Sequence, residues 1–121
     1  MKIVNNKIYH LSTCDTCKKI LKEINAAPHD FEIQDIKIHP LTEKQIDALA
    51  KRAGSYEALI SKKATLWKER KLSDKKLSEE DYKKLLLEHY TFLKRPVIDY
   101  NGKLFVGNEK KTVGAIKEAL V

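Results

Sequence analysis

Glycine, proline, cysteine and aromatic residues are all scarce in this chain of 121 residues, which has four Gly, three Pro, two Cys, five Tyr, three Phe and one Trp. Each shortage excludes something. So little Gly and Pro leaves no flexible linker and no low-complexity tract, since such segments are built from these residues. Two cysteines cannot staple a small secreted scaffold, which needs several bridges to replace a core. No apolar run approaches the roughly 20 residues of a membrane span. The opening MKIVNNKIYH holds no apolar stretch of the length a secretory signal requires, so a soluble cytoplasmic protein is expected. Acidic residues are also short, 17 against 24 Lys and Arg, for a formal charge of +7. That surplus permits a polyanionic partner without demanding one. The 42% of hydrophobic residues still suffices for a buried core, which argues against disorder. Length and the lack of internal repeats point to one domain.

What is present is an ordered change of pattern. Ile8-Tyr9-His10-Leu11, bounded by Ser12-Thr13, suits a short buried strand. Cys17, Ile20, Leu21 and Ile24 then recur at helical spacing, predicting a helix from near Cys14 to before Pro28. Phe31, Ile33, Ile36 and Ile38 fit a second strand with one slip of phase, ending at Pro40. Thr42 with Gln45 reads as a capping box ahead of Ile46, Leu49, Ala50 and Ala53, and Gly54 stops that helix as a C-cap. Ser55 caps a short helix through Leu59 and Ile60. Ser78 with Asp81 opens a further helix with Tyr82, Leu85, Leu86 and His89 inside, and Glu79, Glu80 and Asp81 match the positive end of its dipole. Asn101-Gly102, between Pro96-Val97-Ile98-Asp99-Tyr100 and Lys103-Leu104-Phe105-Val106, is a strong hairpin signal. A last helix starts near Glu109 and buries Val113, Ile116 and Leu120. The order is β-α-β, a helical middle, then β-β-α. It predicts an α/β, thioredoxin-like fold, a mixed parallel/antiparallel sheet flanked by helices with a helical insertion. Residues 1–39 and 91–121 form the expected core of the single domain 1–121, and residues 40–90 the insertion.

The two cysteines, Cys14 and Cys17 in the string Cys-Asp-Thr-Cys, fall where strand gives way to helix. In a reducing compartment such a pair is more often redox-active or metal-binding than a staple. Unpaired N–H groups and the dipole at a helix start favour thiolate over thiol. Three-residue spacing brings two sulfurs within bonding reach over one turn. Lys18 and Lys19 add positive charge and Asp15 opposes it. Exposure assigns Cys14 as the attacking nucleophile and Cys17, facing the core with Ile20 and Leu21, as the resolving thiol. Ser12 and Thr13 are candidates to hydrogen-bond a Cys14 thiolate or to cap the helix. His10, four residues before Cys14, suits either a proton relay or a plain structural role. Two blander readings compete: half of a zinc site completed by some of His10, His29, His39 and His89, or inert thiols with Cys17 as a core residue. The zinc reading lacks a second CxxC or an HxxxH at ligand spacing.

Ile8-Tyr9-His10 leading into Cys14, Leu93-Lys94-Arg95-Pro96-Val97-Ile98, and Gly102-Lys103-Leu104 followed by Val106-Gly107 make the chain resemble the arsenate reductase (ArsC) and Spx family of thioredoxin-fold proteins over nearly its whole length. The Cys-Asp-Thr string also resembles the YffB-like branch. The resemblance implies a cis peptide bond at Pro96, set against the active cysteine, and so places Arg95 near Cys14 to bind an anionic substrate or stabilise the thiolate. Glutathione-linked arsenate reductases of this family hold their oxyanion with three arginines, whose planar groups bond it bidentately. Only Arg95 matches. Within Leu59-Ile60-Ser61-Lys62, Ser61 stands at the mid-chain arginine position with Lys62 adjacent, and about Val106 stands at the third. Arg95, Pro96, Ser12, Thr13 and Lys62 are thus the substrate-binding candidates. The Spx branch has a CxxC switch here and binds RNA polymerase at the helix junction where Gly54 lies, although a C-cap explains that glycine equally. The chain most resembles the arsenate-reductase-like thiol oxidoreductases of unassigned substrate. This implies a small-molecule or protein disulfide substrate, no bound cofactor or metal, and electrons from glutathione with glutaredoxin or from thioredoxin. An Spx-like redox-sensing regulator that binds RNA polymerase and a true arsenate reductase are the alternatives.

The segment from Lys62 to Lys76 carries seven basic residues against Glu69 and Asp74. Trp67 among them would suit nucleic acid, but a solvated face with Trp67 packed underneath is preferred, and no nucleic-acid partner is expected.

Overall fold

The computed structural model describes residues 6–11, 13, 15–23, 31–100 and 102–120, and its contacts divide into two units, 1–39 with 95–121 and Pro40–Lys94. The first unit is built on a four-stranded sheet. Its elements are β1 (Lys7–His10), α1 (Asp15–Glu23), β2 (Glu32–Asp35), β3 (Val97–Tyr100), β4 (Lys103–Val106) and α5 (Lys110–Leu120). The strand order is β2-β1-β3-β4. β1 runs parallel to β2, with Ile8 opposite Ile33, and a parallel neighbour requires the crossover in which α1 lies. On its other side β1 pairs antiparallel with β3, Ile8 opposite Ile98, and β3 turns back into β4. Gly102 supplies the left-handed φ of +83° that this tight turn needs.

One apolar layer holds this sheet to its helices. Ile8 and Ile98 from the two central strands pack with Ile20 of α1 and with Val113 and Ile116 of α5, and Leu21, Phe31, Tyr100 and Phe105 border them. The helical spacing of Cys17, Ile20 and Leu21 therefore does mark the inner side of α1, while Asp15, Lys18, Lys19 and Lys22 face solvent. The mixed sheet with flanking helices is the α/β, thioredoxin-like architecture expected from the order of elements. The second strand differs from expectation. It ends at Asp35, not Pro40, because Asp35 turns the chain: its Oδ1 accepts from the Lys37 N–H at 3.0 Å and its carbonyl from the His39 N–H at 2.8 Å. Ile36 is buried within that turn, whereas Ile33 and Ile38 are 56% and 67% exposed. The expected end of α1 before Pro28 lies outside the described residues.

The second unit is helical, with α2 (Glu43–Ala53), α3 (Thr65–Glu69) and α4 (Glu79–Glu88), plus single 3₁₀ turns at Glu57–Leu59, Leu72–Asp74 and Tyr90–Phe92. Both expected capping boxes form. Thr42 Oγ1 accepts from the Gln45 N–H while Gln45 Oε1 accepts from the Thr42 N–H, and Ser78 and Asp81 exchange the same two bonds. Each satisfies donors that the helix start leaves orphaned. Ser55 Oγ accepts from the Ala58 N–H at 3.0 Å, as expected of a turn opener. α2 packs against α4, and Lys83 of α4 ties Glu43 and Asp47 of α2 at 2.9 and 3.0 Å. Trp67 is buried and its ring lies nearly parallel to that of Tyr82. His89 corrects a detail of the sequence reading: it caps the end of α4 in extended backbone, only half-buried, with its Nδ1 accepting from the Thr91 N–H at 3.1 Å. Bonds from the Ser61 N–H to the Phe92 carbonyl and from the Lys94 N–H to the Leu59 carbonyl close the unit's C-terminal end.

Candidate functional site

Register decides which residues meet at the end of the sheet. Tyr9 pairs with Val97 as the last antiparallel partners of β1 and β3. His10 and Pro96 are the next residues outward, so the link from β1 into α1 and the Arg95–Pro96 peptide leave the sheet at one end. Val106 belongs to that end too, opposite Val97, and Asp35 lies there as the parallel partner of His10. This end therefore gathers the first turn of α1, His10, Asp35, Arg95, Pro96 and Val106, drawn from all four strands.

Cys17 sits in the first turn of α1 and is completely buried. Its spacing from Ile20 explains this, since both project from one side of the helix. Thr13 and Asp15 are exposed on either side of position 14. Cys14 and Ser12 themselves lie outside the described residues. Arg95 is half-buried with its Nε shielded from solvent, and Pro96 is buried behind it. The peptide between them is cis, as the family resemblance implied. The Pro96 carbonyl is held by the Gly107 N–H at 2.9 Å, and Gly107 reaches that position with a left-handed φ of +94°. His10 is half-buried, and its Nδ1 is shielded without a hydrogen-bond partner among the described residues.

Two residues of this end were not singled out by sequence reasoning. Asp35 enters only through the parallel register with His10, which no local pattern encodes. Gly107 had a signal, a glycine closing the last strand, but its partner Pro96 is distant in sequence. Two other candidates belong to the helical unit. Lys62 is half-exposed and paired with Glu57, Nζ to Oε2 at 2.8 Å, and stands over the Trp67 ring at 6.0 Å. Glu57 raises the Lys62 pKa through that hydrogen bond. Gly54 follows α2 with φ +102°, its N–H donating to the Ala50 carbonyl at 2.9 Å, and backbone conformation alone accounts for glycine there.

Chemically, the end of the sheet from which α1 begins offers a buried thiol, a half-buried guanidinium and a half-buried imidazole. Among the described residues no three His, Cys, Asp or Glu side chains gather as metal ligands, and no helix is long and apolar enough to cross a membrane.

Comparison with known proteins agrees with this geometry. A protein of Haemophilus influenzae of uncharacterised role is 30% identical over 113 residues, spanning 86% of this chain and 92% of its own. Among solved structures, an arsenate reductase from Vibrio cholerae superposes with a TM-score of 0.76 at 21% identity, covering 95% of this chain and 99% of that one. An arsenate reductase (ArsC) related protein from Brucella melitensis gives 0.70 at 24% identity, covering 95% and 96%. Both likenesses share the fold described above. The sequence pattern of the ArsC family matches residues 9–116, from the last half of β1 into α5, and on that match the chain belongs to the ArsC family.

Proposed function

We propose that this protein is an arsenate-reductase-like thiol–disulfide oxidoreductase that works through Cys14 and Cys17. The observation that supports it most is the complete burial of Cys17 in the first turn of α1, at the sheet end shared with Arg95 and Pro96. A thiol so placed is shielded from disulfides in solution, yet follows position 14 by only three residues in sequence. It suits a group that attacks only a sulfur already delivered to its neighbour.

The sequence of bonds follows. The Cys14 thiolate, favoured by the N-terminal N–H groups of α1, attacks one sulfur of a disulfide substrate. The other substrate sulfur leaves as a thiolate and takes up a proton, and a mixed disulfide remains on Cys14. Cys17 gives up its proton and attacks the Cys14 sulfur, forming the Cys14–Cys17 disulfide and expelling the second substrate thiol. The substrate has gained two electrons, which glutathione with glutaredoxin, or thioredoxin, restores to the protein by the same exchange chemistry. Arg95 holds an anionic substrate or steadies the thiolate by a charge-assisted hydrogen bond, Ser12 and Thr13 donate hydroxyls to the same sulfur, and Pro96 walls the site. Lys62 belongs to the helical unit, where Glu57 neutralises it. With Ser61 and Val106 where oxyanion-binding arginines would stand, the proposed substrate is a small-molecule or protein disulfide and not arsenate.

The test is a coupled reduction assay with glutathionylated protein, simple disulfides and arsenate, comparing the parent with Cys14→Ser, Cys17→Ser and Arg95→Ala. Cys14→Ser should abolish turnover. Cys17→Ser should accumulate the mixed disulfide, visible by mass spectrometry. Arg95→Ala should lose about 10- to 100-fold in kcat/KM on anionic substrates, the worth of one charged hydrogen bond. Full activity in Cys17→Ser would overturn the resolving role, and robust arsenate turnover would overturn the substrate assignment.

A further inference from the structure

The basic run from Lys62 to Lys76 divides once its ion pairs are known. Lys62 is engaged with Glu57, and Arg70 with Glu88 at 2.6 Å. Lys63, Lys68, Lys71, Lys75 and Lys76 are all exposed, and none joins a salt bridge among the described residues. They are carried by a continuous succession of turns, not by a loose tail. The Lys71 N–H donates to the Lys68 carbonyl, the Asp74 N–H to the Lys71 carbonyl and the Lys75 N–H to the Leu72 carbonyl, each at 3.1 Å. Trp67 and Leu72, each 5% exposed, anchor the segment inward. A charged surface already ordered in this way loses little conformational entropy when a partner binds.

Lys71 adds an independent observation. It is the one non-glycine residue at positive φ among the described residues, at φ 51° and ψ 43°. It follows Arg70, the C-cap of α3, where glycine is the unstrained choice. Local folding therefore does not select a lysine at this point. What distinguishes the residue at this point is its exposed charge.

The chemistry of the partner follows from what accompanies these lysines. The only aromatic residue of the run, Trp67, is buried against Tyr82, so no ring is presented for base stacking. Exposed Glu69 and Asp74 interleave with the lysines. They repel an evenly spaced phosphate backbone but can pair with the occasional cation of a mixed-charge polypeptide. We propose that Lys63, Lys68, Lys71, Lys75 and Lys76 form a docking surface for an acidic polypeptide segment of a protein partner. The proposal is independent of the thiol chemistry at Cys14 and Cys17.

The test uses the full chain and two fluorescein-labelled probes of equal length, a peptide alternating Glu with Ser and an oligothymidylate, followed by anisotropy at low and high salt. The peptide should bind, weakening as salt screens the charges. The triple variant Lys68→Gln, Lys71→Gln, Lys75→Gln should weaken it about tenfold, as expected for three exposed charge contacts. The variant Lys103→Gln, Lys110→Gln, Lys111→Gln removes the same charge from exposed lysines outside the segment and should change affinity less than about twofold. Lys71→Gly should fold at least as stably as the parent, since glycine relieves the left-handed backbone, yet bind the peptide more weakly. Absence of peptide binding, equal losses from the two triple variants, unchanged affinity in Lys71→Gly, or tighter binding of the oligothymidylate would each overturn the proposal.

Discussion

Replacing Gly54 by alanine should destabilise the protein by about 1 kcal/mol through the backbone alone. Gly54 holds φ +102° and ψ −22° as the C-cap of α2, and a Cβ built on it meets nothing within 4 Å. Steric contact with neighbours is thus removed from the problem. Placing an L-residue in left-handed backbone costs roughly 1–2 kcal/mol. Restricting the unfolded chain returns about 0.4–1 kcal/mol, leaving a net loss near 1 kcal/mol. Cooperative unfolding of a chain of 121 residues has an entropy of about 2.1 cal/mol/K per residue, or roughly 0.25 kcal/mol/K, so the melting midpoint should fall by about 4 °C. Gly54→Asn should lose about half as much or less, because asparagine tolerates left-handed backbone better than alanine. The assay is thermal unfolding followed by tryptophan fluorescence. Trp67 is the sole tryptophan, it is buried, and it belongs to the same unit as Gly54. An alanine variant that melts at or above the parent, or an asparagine variant as costly as alanine, would refute the reasoning.

Two further predictions concern acid and the core. The Asp81 carboxyl is held below its ordinary 3.8 by the hydrogen bond from the Ser78 backbone, then by the Ser78 side chain. Its stabilising effect is therefore present above the unfolded value and lost as pH falls through the lowered folded one. Asp81→Asn should melt below the parent at neutral pH, and the gap should close as pH is taken below about 4; a gap that does not change with pH would assign the effect to shape and not charge. Ile98, fully buried against Ile8, should cost about 2–5 kcal/mol as alanine and about 0.5–1.5 as valine. Urea unfolding should show the lower midpoint with an unchanged slope, and a loss under about 1 kcal/mol for Ile98→Ala would mean that the sheet can collapse onto the void.

What the sequence made legible was local. Thr42 with Gln45, Ser78 with Asp81, and the hairpin signal at Gly102 are each encoded within four residues, and the two caps and the pairing of Tyr100 with Lys103 form as expected. The burial of Trp67 beneath a charged surface followed from the same kind of pattern. The end of β2 was not legible, because the spacing of Ile33, Ile36 and Ile38 imitates a strand, whereas the Asp35 side chain turns the chain and places Ile36 in a buried turn. Lys71 in left-handed backbone carries no glycine to announce it. At the candidate site, the helical stripe and the position of Cys17 could be read directly. The alignment of Asp35, Gly107 and Pro96 around it could not, since it arises from strand register between distant segments.

The pairing of Tyr9 with Val97 has a consequence for biosynthesis. The first helix leaves the ribosome long before Val97, so the nascent chain carries Cys17 before the strand that completes the centre of its sheet has been translated. Contacts of such wide sequence separation close late. A fragment ending before Arg95 would lack β3 and β4, and with them the antiparallel half of the sheet against which α1 packs.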